Sequence, residues 1–194
     1  MNHTHSAHPS WEKIRSCTRC ALHQHQSPLL EQEIPPTVEV MWVGLSAKLV
    51  TGLFEGPLCR TTKTGQVLER VEEHFPQTSF YRTNLVKCPP IKEGKLRYPN
   101  SGEMAACQSN LELEISRLQP KIIFLLGKLA STHVLTQFRK TRTAVTWYQN
   151  YPTSGGVSLF PVPHPSYIAV YRSNQIEDYI ASMVQIVRET KRTK

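Results

Sequence analysis

The sequence predicts an α/β fold, a three-layer α/β/α sandwich built on a central, mostly parallel sheet. Three observations lead there. Short apolar runs of strand length alternate with longer stretches of helical periodicity along the whole chain. Runs such as VEVMWVG (38–44) and KIIFLLG (121–127) are almost continuously apolar, as strands covered on both faces must be. The 194 residues suffice for one domain with a real core.

Taken in order, residues 1–10 are polar and His-rich and predict a disordered tail, with residues 11–194 forming a single domain. Residues 11–26 carry a C-x2-C pair, Cys17 and Cys20, on a short helix; Pro28, Pro35 and Pro36 mark a loop. The run 38–44 is the first strand, and 45–63 is a long loop with glycine, proline and basic residues. Val67, Leu68 and Val71 fall on one face of a helix over 64–75. SFYRTNLVK (79–87) is the second strand, and Pro89 and Pro90 stop it by removing backbone donors.

A basic loop over 89–101 leads to a helix over 102–118, with Met104, Cys107, Leu111, Ile115 and Leu118 at helical spacing. The third strand is 121–127, followed by a helix over 128–138. TAVTWYQ (143–149) reads as an extra strand or part of a hairpin, GVSLFPVPHP (156–165) as the last strand, and 174–190 as the closing helix before a charged tail.

The formal net charge of +8 favours a polyanionic partner, usually nucleic acid. No apolar run is long enough to span a bilayer and no secretory signal is visible, so the expected compartment is the cytoplasm, with no membrane partner and no obligate protein partner. Five cysteines in such a compartment are poor disulfide candidates. Cys17 and Cys20 can grip a metal from one turn, and Cys88 and Cys107 would have to return to them; Cys59 is left over. The residues alone leave open a metal site such as zinc or, for Cys107, a small buried apolar side chain.

In parallel α/β sheets, ligands sit outside the carboxyl ends of the strands. Here those ends carry Gly44-Leu45-Ser46, Asn84 to Cys88, Gly127-Lys128 and His164-Pro165-Ser166. Taken with the C-x2-C pair, VGLSA (43–47), TNLVKCPP (83–90), E-x3-C (103–107), PKIIFLLGKLA (120–130) and HPS (164–166), the chain resembles the iron–sulfur branch (family 4) of the uracil-DNA glycosylase superfamily.

The resemblance implies a DNA glycosylase whose Cys17, Cys20, Cys88 and Cys107 hold a structural [4Fe–4S] cluster. It implies that Asn84 reads an extruded pyrimidine and that His164 stabilises the departing base. Gly44, Leu45, Ser46 and Leu58 would line the base pocket with Asn84. Pro165, Ser166, Tyr167 and Arg172 would press on the DNA backbone, joined by Lys48, Arg60, Lys63 and Lys87. The loop residues Lys92, Lys95, Arg97 and Tyr98 read equally well as phosphate contacts or as a solvated loop.

Two departures from the pattern stand out. Leu45 occupies the place of an acidic residue that positions water, and Leu58 that of a phenylalanine that stacks on uracil. The stretch 57–65 is also longer than usual. Glu55 is a loop carboxylate that either replaces the missing acid or is simply solvated. The expectation is a pocket rebuilt for a bulkier pyrimidine, such as the glucosylated 5-hydroxymethylcytosine of phage DNA. Arg60, Thr61, Thr62 and Lys63 would then hydrogen-bond the sugar, in an antiviral role. Uracil repair and an inactive iron–sulfur DNA-binding protein are the alternatives.

Overall fold

The computed structural model describes residues 9–50, 55–141 and 144–192. The elements are α1 (Pro9–Arg15), a 3-10 turn (Ala21–Gln24), β1 (Val40–Ser46), α2 (Lys63–Glu72), β2 (Phe80–Val86), β3 (Ile91–Lys92), β4 (Lys95–Leu96), α3 (Ser101–Leu118), β5 (Ile122–Leu126), α4 (Lys128–Arg139), β6 (Tyr151–Pro152), β7 (Ser158–Val162), α5 (Pro165–Tyr171) and α6 (Ile176–Arg192). The main sheet runs β2-β1-β5-β7-β6. Its first four strands are parallel, and only β6 is antiparallel.

Strand alternation divides the apolar side chains into two cores. Val40 and Trp42 of β1 and Ile122, Phe124 and Leu126 of β5 point to the face covered by α2, α5 and α6. Met41, Val43, Ile123 and Leu125 point to the face covered by α3 and α4. This double burial is why the strands read as unbroken apolar runs. Trp42 stacks on Phe124 with centroids 4.6 Å apart, and its indole N–H donates to Glu72 Oε1 at 3.0 Å.

The helices begin where the chemistry allows. Asn100 and Glu103 form a capping box at the start of α3, and Thr62 caps α2 by accepting from the Gly65 N–H at 3.0 Å. Helix α3 stops at Gln119, which adopts a left-handed φ of 46° ahead of Pro120.

Several expectations are corrected. The antiparallel fifth strand is Tyr151–Pro152, not 143–149; of that range, residue 143 lies outside the described residues and 144–149 form a loop. The basic loop after Cys88 contains the small β3–β4 hairpin. The chain does not stay extended to Pro165, because β7 ends at Val162 and α5 starts at Pro165. Helix α6 continues through the expected charged tail to Arg192. Most of the expected N-terminal tail lies outside the described residues, but Pro9 and Ser10 already belong to α1.

Gly65 is the tightest point between α2 and the preceding loop. A Cβ there would collide with the Cys59 carbonyl oxygen and lie 2.7 Å from that of Leu58. Gly65→Ala is expected to destabilise the protein by about 1–3 kcal/mol, read as a lowered melting temperature.

Candidate active site

The carboxyl ends of β1 and β2 meet at Gly44 and Asn84, which are register partners. Asn84 is 3% exposed, and its Oδ1 occupies the space that a Cβ on residue 44 would need. Glycine at 44 therefore lets the amide lie across the strand end. Leu58 closes on the same point, with Cδ2 2.9 Å from that missing Cβ. Leu58 holds a left-handed φ of 51°, an uncommon conformation for a side chain of its size. Its carbonyl accepts from Arg82 Nη1 at 3.0 Å, and Arg82 in turn grips Glu72 at 2.7 Å. Leu45 and Ser46 are half-buried beside them. The predicted pocket residues Gly44, Leu45, Ser46, Leu58 and Asn84 thus lie together.

Lys87 is not a phosphate contact. It is fully buried, and its ammonium donates to Thr83 Oγ1 at 2.8 Å, to the Asn84 carbonyl at 2.5 Å and to Glu114. Glu114, also fully buried, accepts from the Tyr81 hydroxyl at 2.9 Å and from Thr83 Oγ1 at 3.0 Å. Burial and the Glu114 charge push the Tyr81 phenol well above its ordinary range. All three ammonium hydrogens have protein acceptors, so none remains for DNA.

The same residue reaches the cysteines. The Lys87 backbone N–H donates to Cys107 Sγ at 3.3 Å, and Asn110 Nδ2 lies 3.7 Å from that sulfur. Cys17, Cys20, Cys88 and Cys107 line one small cavity. Burial, then the charges of Cys107, Cys20 and Cys17, push the Cys88 thiol up to about 12. Burial also opposes ionisation of Cys17, but donors from Arg19 and Asn110 outweigh it and hold that thiol below its usual range. Four sulfurs that repel one another when ionised, ringed by N–H donors, suit a multinuclear cationic centre. Cys59 lies apart, with Sγ 3.2 Å from Thr61 Oγ1.

His164 caps α5. Its Nδ1 accepts from the Ser166 backbone N–H at 3.3 Å and lies 2.8 Å from Ser166 Oγ. A backbone N–H only donates, so Nδ1 is unprotonated and Nε2 carries the hydrogen. Burial lowers the imidazole pKa, which keeps the ring neutral at pH 7. Gly127, at φ 88°, gives the ring its room: a Cβ there would lie 3.2 Å from His164 Cβ. A cleft of about 580 Å³ opens beside the ring, lined by Lys128, Trp147, Tyr167 and Arg172 among others. The expected His164, Pro165, Ser166, Tyr167 and Arg172 are thus brought together. They share the carboxyl edge of the sheet with Asn84, but β1 and β5 stand between β2 and β7. Three strand intervals amount to about 14 Å.

The remaining basic residues divide. Lys48 pairs with Glu55 at 2.9 Å, and Lys63 is exposed at the start of α2. Arg60 turns onto Glu69 and Glu72, and the Thr62 hydroxyl is used within the α2 cap, donating to the Cys59 carbonyl at 2.7 Å. The expected sugar contact by Thr62 is therefore withdrawn. Sequence reasoning missed Glu31, a loop glutamate with no pattern around it. It shares a cleft of about 720 Å³ with Arg60, Glu72 and Arg82 on the far side of Leu58. Burial, partly offset by Arg82, pushes its carboxyl up to about 7.

The profile of the uracil DNA glycosylase superfamily matches residues 31–188. The chain belongs to the uracil-DNA glycosylase superfamily. This is a family of DNA glycosylases, hydrolases of the N-glycosidic bond. The chain is similar to the type-4 uracil-DNA glycosylase of Thermotoga maritima, at 26% identity over 90% of this chain and 88% of that one. It is similar to the type-4 enzyme of Sulfurisphaera tokodaii at 25% identity, over 84% and 75%. Its fold resembles the crystal structure of wild-type SMUG2 from Pedobacter heparinus, with a TM-score of 0.52 at 12% identity over 80% and 77% of the two chains. The parallel sheet between helical layers is thus the glycosylase architecture, with the glycine–asparagine junction and the capping histidine on its carboxyl edge.

Two outcomes follow from the buried charges. Lys87→Met leaves Glu114 without its cation and is expected to cost about 3–5 kcal/mol, much of it recovered in the Lys87→Met, Glu114→Leu pair; urea titration reads both. Glu31 keeps its proton to about pH 7 when folded but loses it near 4.5 when unfolded. The folded chain binds more protons in that window, so stability falls as pH rises through it. Glu31→Gln should therefore melt increasingly above wild type between pH 4.5 and 7.5, by a margin on the order of 2 kcal/mol at the top.

Proposed function

We propose that the protein is a cytoplasmic DNA glycosylase, with residues 11–194 as one catalytic domain, that extrudes a modified pyrimidine and hydrolyses its glycosidic bond to leave an abasic site. The observation that carries this reading is the contact of His164 Nδ1 with the Ser166 backbone N–H, which leaves Nε2 as the ring's donor. A neutral ring with its outward nitrogen protonated stands on the same sheet edge as the Asn84 amide.

In the reaction, the bond between C1′ and the base nitrogen breaks and its electron pair leaves with the base. Positive charge gathers on the sugar and negative charge on the base carbonyls. The His164 Nε2–H stabilises that negative charge, and removing such a donor typically costs about 10²–10³ in rate. Asn84, held through its own carbonyl by Lys87, both donates to and accepts from the base edge. A water oxygen then bonds to C1′, and the proton it releases passes to solvent. Leu45 cannot orient that water, and Glu55 is already paired with Lys48.

The four cysteines fit a [4Fe–4S] cluster. When bound, the cluster would tie the N-terminal segment, the end of β2 and α3 together, and would supply no step of the reaction.

For the base itself, we read a cytosine enlarged at its 5-position, of the kind found in glucosylated phage DNA, in an antiviral role. Leu58 in place of an aromatic residue supports this reading, as does the polar cleft behind it with Glu31, Arg60 and Arg82. The similarity to type-4 uracil-DNA glycosylases supports uracil as the second reading.

The test is purified protein on duplexes containing glucosylated 5-hydroxymethylcytosine, 5-hydroxymethylcytosine or uracil, read by released base and abasic sites. Release of the glucosylated base, lowered about 10²–10³-fold by His164→Ala and strongly by Asn84→Ala, is the expected result. Release of uracil alone would overturn the modified-base reading. DNA binding without abasic sites on any substrate would make the protein a binder and not an enzyme.

A further inference from the structure

We propose that Trp147 is the stacking platform of a second nucleobase site, one that takes the unstacked base of a nucleotide flanking the extruded one. The inference builds on the DNA glycosylase reading but can be tested without catalysis.

The first support is the distribution of exposed apolar side chains. Single exposed apolar residues are ordinary, whereas grouped ones mark contact surfaces. Of the eight large hydrophobic residues exposed among the described residues, five are Leu129, Trp147, Tyr167, Val170 and Tyr171. They lie on three segments bordering the His164 cleft: the start of α4, the 144–150 loop and α5. The rings of Tyr167 and Tyr171 stand 5.6 Å apart and extend the aromatic surface along α5.

The second support is that the loop fixes Trp147 outside the core. The Tyr151 hydroxyl accepts from the Thr146 N–H and donates to the Ala144 carbonyl, each at 3.0 Å. The Tyr148 N–H donates to the Pro161 carbonyl at 2.8 Å. Tyr148 takes a left-handed φ of 62° and packs edge-on against buried Tyr179. The tyrosine thus fills the core slot next to the indole. For Trp147 to turn inward, Tyr148 would have to leave and the strained turn would have to relax.

The third support is charge. Lys128 and Arg172 line the cleft, and among the described residues that line it none is acidic. A flat aromatic surface flanked by cations fits a planar ligand attached to phosphate, which describes a nucleotide. The cleft is lined from the carboxyl ends of β5 and β7, whereas Asn84 lies on β2, two strands beyond β5. With two strands between β2 and β7, the base read by Asn84 and the base stacked on Trp147 are different bases of one strand. Holding a neighbour unstacked would lower the work of extruding the target.

The experiment uses the full chain and a ten-residue oligothymidylate, which carries no excisable uracil or modified cytosine. Tryptophan emission reports stacking, because Trp42 is buried and Trp11 half-buried. Wild-type emission should be quenched, and the quench should vanish in Trp147→Phe. By fluorescence anisotropy, Trp147→Ala should bind this oligomer about 5- to 150-fold more weakly, the range that corresponds to loss of one stacked base, while Trp147→Phe stays near wild type. Equal binding by Trp147→Ala and wild type, or no quench in wild type, overturns the proposal. If Trp147→Ala fails to fold, the quench comparison between wild type and Trp147→Phe decides alone. Weakened binding by Trp147→Ala alongside a wild type that releases no base would retire the glycosylase reading and keep this one.

Discussion

The buried ion pair between Lys87 and Glu114 is the constraint on which the rest of the site depends. Lys87 has five attachments, one of them to Thr83 Oγ1 on its own strand. Its ammonium meets Glu114 and the Asn84 carbonyl, its backbone N–H meets Cys107 Sγ, and its carbonyl accepts from Leu29 at 2.8 Å. One residue thereby ties β2, the strand that carries Asn84, to the sulfur site, to α3 and to the segment leading into β1. A charge in so dry a place tolerates few arrangements, since every displaced hydrogen bond would leave an uncompensated polar group. The pair adds little net stability, but it restricts β2 to one position against α3.

On the other face of the sheet, a second charged group does a similar job for the loop. Glu72 of α2 accepts from the Trp42 indole and from Arg82, and Arg82 holds the Leu58 carbonyl. The aliphatic residue that closes on Gly44 alongside Asn84 is thus anchored by the same carboxylate that seats the largest aromatic of the core. Positive φ at Leu58 persists because these surroundings over-determine it. Pocket shape and core packing on this side belong to one structure.

The fold was legible because burial on both faces leaves a plain trace: VMWV and IIFLL admit no exposed face. Site residues at strand ends were legible for a related reason, since Gly44, Asn84, Gly127 and His164 interrupt apolar runs at corresponding places. What stayed hidden depends on distant partners. Lysine is usually exposed, and nothing near residue 87 announces a carboxylate 27 positions later in helix α3. Helix α5 was not anticipated, and the strand was carried to Pro165 because proline resembles a terminator, whereas at the first helical position its missing N–H has no consequence. The fifth strand was placed too early because Thr143, Val145 and Trp147 have strand-like composition, yet the ladder forms at Tyr151, where Leu159 is available to pair.

The capping role of His164 limits what the residue can do. Its inner nitrogen is occupied by the Ser166 backbone, so the ring has no vacant basic site through which to replace a proton it surrendered. Full transfer would leave an imidazolate, far outside the range reached at neutral pH. In the proposed reaction the leaving group would therefore depart as an anion and collect its proton later from bulk solvent. Selectivity among substrates would then follow how readily each base tolerates negative charge.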